Sequence, residues 1–109
     1  MAYNEELAKR IRAMLPKKPS VSEKKMFGGI GFLVRGNMAC GLYKEYLIVR
    51  VGPDAHQEAI KKPHAKVFDI TGRPMSGWVM VAPKGYETNS AMLSWLKQGI
   101  AYASSLPSK

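Results

Sequence analysis

The sequence predicts an α+β domain: a two-layer sandwich in the order α-β-β-β-α-β-β-α. Its five-stranded sheet should be mostly antiparallel, with the helices packed on one face. Three observations carry this. The chain begins and ends with apolar residues at helical spacing, the middle holds short β-rich runs joined by two-residue turns, and prolines and glycines punctuate the joints. At 109 residues, 46% of them hydrophobic, the chain is sized for one domain, residues 1–109, with a core of its own.

The first helix is set by Tyr3, Leu7, Ile11 and Met14, which recur at spacings of four, four and three. Glu5 and Glu6 stand in its first turn, where the helix dipole favours acids, and Pro16 stops it. The first strand runs over 30–35, with a start as early as Lys25 allowed. Gly36-Asn37 is a turn pair, 38–43 the second strand, Lys44-Glu45 a second turn and 46–51 the third strand. Along that strand Leu47, Val49 and Val51 face inward, and Tyr46, Ile48 and Arg50 outward. Gly52 and Pro53 open a short helix over 54–62, which Pro63 ends. Strands over 66–70 and 77–82 follow, joined by the loop 71–76. Thr88, Asn89 and Ser90 then supply N-caps for a last helix with Met92, Trp95, Leu96, Gly99, Ile100 and Ala103 on one stripe, and Pro107 closes it.

The formal net charge of +9 favours polyanions such as nucleic acid or an acidic protein. Lys9, Arg10, Arg12, Lys17, Lys18, Lys24 and Lys25 cluster early in the chain with only Glu23 among them, and are the candidate contacts to nucleic acid or a partner. The charged N-terminus lacks the apolar stretch of a signal peptide, and no run reaches the roughly 20 apolar residues that span a bilayer. The single cysteine, Cys40, forms no internal disulfide. A cytoplasmic protein without membrane contact is expected.

Chemistry-bearing constellations are few. Phe27-Gly28-Gly29-Ile30-Gly31-Phe32 enters a strand rather than a helix, so its glycines read as a bend, a bulge or close packing instead of a phosphate cradle. His56, expected on an exposed helix, and His64, expected in a turn, match no strong zinc spacing with Cys40. Cys40 reads as a small buried side chain rather than a nucleophile. No carboxylate pair suits acid–base work, and no Gly-x-Ser-x-Gly elbow is present. No enzyme activity, metal or cofactor is expected. Trp78 and Trp95 read as core. Tyr43, Tyr46 and Tyr86 read as exposed beside Lys44, Arg35 and Lys84, a weak signal for stacking on single-stranded bases.

Several strings together have a family signature: Lys25-Met26-Phe27-Gly28-Gly29, Gly36-Asn37-Met38, Val49-Arg50-Val51-Gly52-Pro53, Asp69-Ile70-Thr71-Gly72-Arg73-Pro74-Met75-Ser76-Gly77-Trp78, and the closing helix with Trp95 and Gly99. The chain from about Glu5 to Leu106 resembles the N-terminal domain of the bacterial competence regulator TfoX. The resemblance implies a two-layer α/β sandwich related to secretion chaperones, in the same element order. It also implies a regulatory or protein-interaction role, with transcription co-regulation as one form of it, and it carries no catalytic residues. The C-terminal helical domain of full-length TfoX has no counterpart here, so a stand-alone domain is expected. In the motif loop, Gly72, Arg73, Pro74, Gly77 and Trp78 read as structural, with Arg73 either bonding loop carbonyls or anchoring an anion.

The leading expectation is thus a non-enzymatic interaction domain, and the alternative a weakly specific nucleic-acid binder. A homodimer is also expected, through Tyr46, Ile48 and Arg50, with Arg50 in that interface or paired with Asp69. On that reading Ile48→Glu weakens the dimer and leaves the fold intact.

Overall fold

Residues 4–15, 21–26, 29–68 and 77–107 are described by a computed structural model of the chain. Asn4 starts the first helix, α1 (Glu5–Met14): its side-chain oxygen accepts from the amides of Glu6 at 2.8 Å and Leu7 at 3.3 Å. The buried stripe of α1 is Ala8 and Ile11, continued by Leu15 just past its end and rotated from the expected one; Leu7 and Met14 lie at its border.

Among the described residues the sheet has six strands rather than five: β1 (Val21–Met26), β2 (Gly29–Val34), β3 (Asn37–Tyr43), β4 (Tyr46–Arg50), β5 (Ala65–Val67) and β6 (Trp78–Val81). They lie in the order β1-β2-β3-β4-β6-β5, and every neighbouring pair is antiparallel. The additional strand is β1. Its residues Ser22, Glu23, Lys24 and Lys25 are polar on both faces, so it shows no alternation from which a strand is read. Charges suit it to its place, because an edge strand must discourage pairing with another chain. The opposite edge, β5, is blunted by its three-residue length.

The β2–β3 turn falls at Arg35-Gly36, one residue before the expected pair. Both residues have positive φ, 50° and 84°, as a two-residue hairpin of the primed type requires. Asn37 thereby becomes the buried first residue of β3, and its side-chain Nδ2 donates to the carbonyl of Pro107 at 2.9 Å. Between Phe32 and Leu33 the β2–β3 register shifts, leaving Ala39 as an extra residue, and Ala39 and Cys40 are both fully buried.

Cross-strand register separates the two faces of the sheet. One row reads Ile30, Leu42, Leu47, Val81, Ala65; the next reads Phe32, Cys40, Val49, Val79, Val67. These rows meet Ala8, Ile11 and Leu15 of α1, Ala59 of α2 (His56–Ile60), and Met92, Trp95 and Leu96 of α3 (Asn89–Ser104) in one core. Leu47, Val49 and Val51 are inward, as their alternation predicts. Thr88 caps α3 by accepting from the amide of Ala91 at 3.0 Å. At the other end the Arg35 guanidinium donates to the carbonyls of Ser104 at 2.5 Å and Leu106 at 3.3 Å, a cation at the negative pole of the helix.

His56 departs from expectation. It is 8% exposed, and its Nδ1 accepts the amide of Gly77 at 3.0 Å. The carbonyl of Gly77 in turn accepts from the amides of Val51 at 2.8 Å and Gly52 at 3.1 Å. The imidazole therefore fixes the entry into β6 rather than facing solvent.

Candidate binding face of the sheet

The face turned away from the helices is defined by one row that crosses all six strands: Lys24, Gly31, Gly41, Ile48, Met80 and Lys66. It begins and ends on an exposed lysine at the two sheet edges. On one side of the row lie Tyr43 and Tyr46, directly paired. On the other lie the pairs Leu33–Met38 and Arg50–Trp78, with Phe68 next to Trp78. The three helices belong to the core on the opposite side, and these flanking residues are half-buried.

Cations and rings are interleaved here. Lys44 Nζ stands 5.5 Å from the centroid of the Tyr43 ring, and Lys66 Nζ stands 5.0 Å from that of Tyr46. The Arg50 guanidinium lies 5.2 Å from the Trp78 ring and 5.4 Å from that of Tyr102 in α3. The Phe68 and Trp78 centroids are 6.1 Å apart, with the rings tilted by 42°. Exposed cation–ring contacts of this kind are worth about 0.5–1 kcal/mol each. No Asp or Glu occupies this face among the described strand residues. Glu23, the acid of β1, pairs with Phe32 and so belongs to the helix side.

Of the basic residues singled out in the sequence, Lys9, Arg10, Arg12, Lys24 and Lys25 lie among the described residues. Lys9 pairs with Glu6 at 3.8 Å on the exposed side of α1. Arg10 donates to Asn89 Oδ1 at 3.1 Å and to the Glu87 carbonyl at 2.9 Å, tying α1 to the start of α3. Arg12 holds the Glu23 carboxylate with two hydrogen bonds, 2.7 and 2.8 Å, tying α1 to β1. That bond keeps the Glu23 carboxyl below its ordinary range, against a smaller opposing effect of burial. A shallow, open depression lined by Arg12, Leu15, Val21, Ser22, Glu23 and Phe32 lies beside the pair. Lys25 pairs with Ile30 on the helix side, and Lys24 pairs with Gly31 on the outer face. Lys17 and Lys18 lie outside the described residues.

Tyr46, Ile48 and Arg50 share the outer face, but Ile48 is only 2% exposed and Met80 beside it 6%. The expectation that Ile48 stands free at the surface is corrected. Arg50 is already engaged with two rings. Trp78 was expected in the core and is instead half-buried on the outer face, whereas Trp95 is buried as expected. Tyr86, expected exposed, is buried, and its hydroxyl donates to the Glu45 carbonyl at 2.6 Å. Gly72, Arg73, Pro74 and Asp69 lie outside the described residues. Gly77 is buried with φ 88°, a conformation that side chains rarely adopt. Lys66 and Phe68 lie within the expected strand 66–70 but were not expected as site residues; Lys66 is in β5 and Phe68 directly follows it, a stretch too short to declare its faces alone.

Cys40 is fully buried opposite Phe32 and Val49, and desolvation pushes its thiol up to about 12. His64 sits in an exposed turn. Among the described residues no three His, Cys, Asp or Glu side chains are grouped to hold a metal ion, and no helix is long and apolar enough to cross a membrane.

The architecture defines a small α+β domain: an open antiparallel sheet with three helices on one face and a cationic, aromatic face on the other. The chain belongs to the TfoX N-terminal domain family, whose family model matches residues 13–103. Neither a curated protein nor a solved structure matches it.

Proposed function

We propose that the chain is a non-enzymatic regulatory domain of the cytoplasm that binds an anionic macromolecular partner on the outer face of its sheet. The observation that carries this reading is the composition of that face: half-buried rings with Lys24, Lys44, Lys66 and Arg50, and no carboxylate on this face among the described strand residues. Membership of the TfoX N-terminal domain family supports a regulatory setting, and transcription co-regulation is the form of it that we propose. The inert environment of Cys40 supports a binding role over a thiol enzyme.

A homodimer through Tyr46, Ile48 and Arg50 is the competing use of the face. A two-fold contact would bring each lysine-rich face against its own copy, which costs electrostatic energy. An acidic partner meets no such penalty. The test is capture from the native cell with wild-type bait and with a Tyr46→Ala/Lys66→Glu bait, followed by identification of what is bound. An anionic species held by the first and lost by the second is the expected result. Equal capture by both baits would remove the outer face as the docking surface.

A further inference from the structure

We propose that the outer face binds single-stranded nucleic acid, with Tyr43, Tyr46 and Trp78 as platforms for unpaired bases and Lys24, Lys44 and Lys66 as contacts to phosphate. This rests on the outer face being the docking surface and names its occupant.

The geometry favours a strand of nucleic acid over an acidic protein for three reasons. The row from Lys24 to Lys66 crosses five strand-to-strand steps of about 4.8 Å each, so the two lysines stand about 24 Å apart. A polyanion running across the strands meets positive charge at both margins. Between them the row runs through Gly31 and Gly41, with the end of the Met38 side chain lying against Gly41, and through the buried Ile48 and Met80. The rings stand beside this path rather than in the core, and flat rings offer bases a π-surface that an acidic side chain does not use. Finally, the cations already lie over those rings. Each contact is exposed and weak. A base stacked in its place makes the stronger contact, while the displaced Lys44 or Lys66 is released to a phosphate. The ligand thus recovers what opening the pairs loses.

Duplex is the poorer ligand because its bases are already stacked and its edges do not reach the rings. Whether the native strand is RNA or DNA depends on contacts to the 2′-hydroxyl, and the shared chemistry is a flexible phosphodiester chain with unpaired bases.

The experiment is fluorescence anisotropy of the intact chain with labelled oligomers of about 10 nucleotides. Oligouridylate, oligothymidylate, a duplex and poly-glutamate are compared at several salt concentrations. Both single strands should bind more tightly than the duplex. Log affinity should fall against log salt with a slope of about −2, since three phosphate contacts contribute about −0.7 each for single strands. Tyr46→Ala should weaken binding about five- to a hundred-fold. Tyr46→Phe keeps the platform and should keep the affinity. Lys66→Glu should flatten the salt slope. Tighter binding of oligouridylate than oligothymidylate assigns the ligand as RNA, and the reverse as DNA; either supports the proposal. No binding at low salt, or duplex and single strand bound alike and untouched by Tyr46→Ala, overturns it. Poly-glutamate bound in place of both single strands, with the same dependence on Tyr46 and Lys66, also overturns it, yet leaves the outer face as the docking surface. Loss of both the oligomers and the captured partner's dependence on these residues would remove the face itself.

Discussion

Gly99 of α3 sits so close to β3 that a Cβ on it would stand 2.4 Å from the carbonyl oxygen of Ala39 and 3.3 Å from Cγ1 of Val49. In an ordinary helix interior, replacing glycine by alanine gains about 1 kcal/mol. Here the added methyl meets strand backbone, and overpacking of this kind costs about 1–3 kcal/mol. Gly99→Ala should therefore lower the midpoint of urea unfolding despite the better helix former. A higher midpoint would mean that α3 is free to lift from the sheet.

His56 accepts the amide of Gly77 inside the fold, so its removal leaves a buried donor unpaired. His56→Ala should cost about 2–4 kcal/mol, combining the orphaned N–H with the cavity. His56→Asn should recover part of this wherever its side-chain oxygen reaches the same amide. Denaturant curves for both variants decide it, and equal stability of wild type and His56→Ala would show that the bond contributes nothing.

The Arg12–Glu23 pair gives stability a defined pH dependence. The folded state lowers the Glu23 carboxyl below its ordinary value of 4.5, chiefly through the bond to Arg12. A group lowered on folding contributes fully above its unfolded value, and the contribution is lost as pH falls through the folded one. Both side chains are about two-fifths exposed, at 38% and 43%, so solvent limits the effect to about 1 kcal/mol or less. Glu23→Gln should be less stable than wild type at neutral pH, and the gap should close as pH drops below 4.5. A gap that stays constant into acid would assign the effect to packing instead.

Cys40 should remain a thiol across the pH range in which a free cysteine, ordinarily near 9.0, becomes thiolate, because burial pushes it up to about 12. Alkylating reagents should label it only on unfolding. Cys40→Ala should cost about 1 kcal/mol, and Cys40→Ser more, since a hydroxyl there has to be desolvated. Rapid labelling of the native protein would contradict the buried assignment.

Ile48 is where surface and interior were hardest to separate. Burial at 2% exposure means that Ile48→Glu places a carboxylate where water does not reach, and it should cost more than about 3 kcal/mol. Ile48→Val should cost about 0.5–1.5 kcal/mol. Circular dichroism with thermal melts distinguishes these outcomes. A fully folded Ile48→Glu would show that the residue reaches solvent.

Much of the fold could be read directly because local rules agreed with one another. The last helix was legible from Thr88, Met92, Trp95 and Gly99, and the inward side of β4 from Leu47, Val49 and Val51. The strand β1 was not legible, since an edge strand with Ser22, Glu23, Lys24 and Lys25 carries the same composition as a loop. The His56 bond to Gly77 joins residues 21 apart and leaves no local trace. The candidate face needed register rather than pattern. Lys24 and Lys66 become ends of one row only when all six strands are paired in order, and the bulge at Ala39 resets the alternation partway along β3. The basic stretch from Lys9 to Lys25 is contiguous in sequence only. In the fold, Arg10 and Arg12 are occupied with fastening α1 to its neighbours.

The tail after α3 is fastened to the β2–β3 turn by Arg35, which holds the carbonyls of Ser104 and Leu106, and by Asn37, which holds that of Pro107. Mechanical tension applied beyond Pro107 is consequently delivered first to the tip of that hairpin and not along the axis of α3. The tail should peel from Asn37 and then from Arg35, one hydrogen bond at a time, before the helix carries any load.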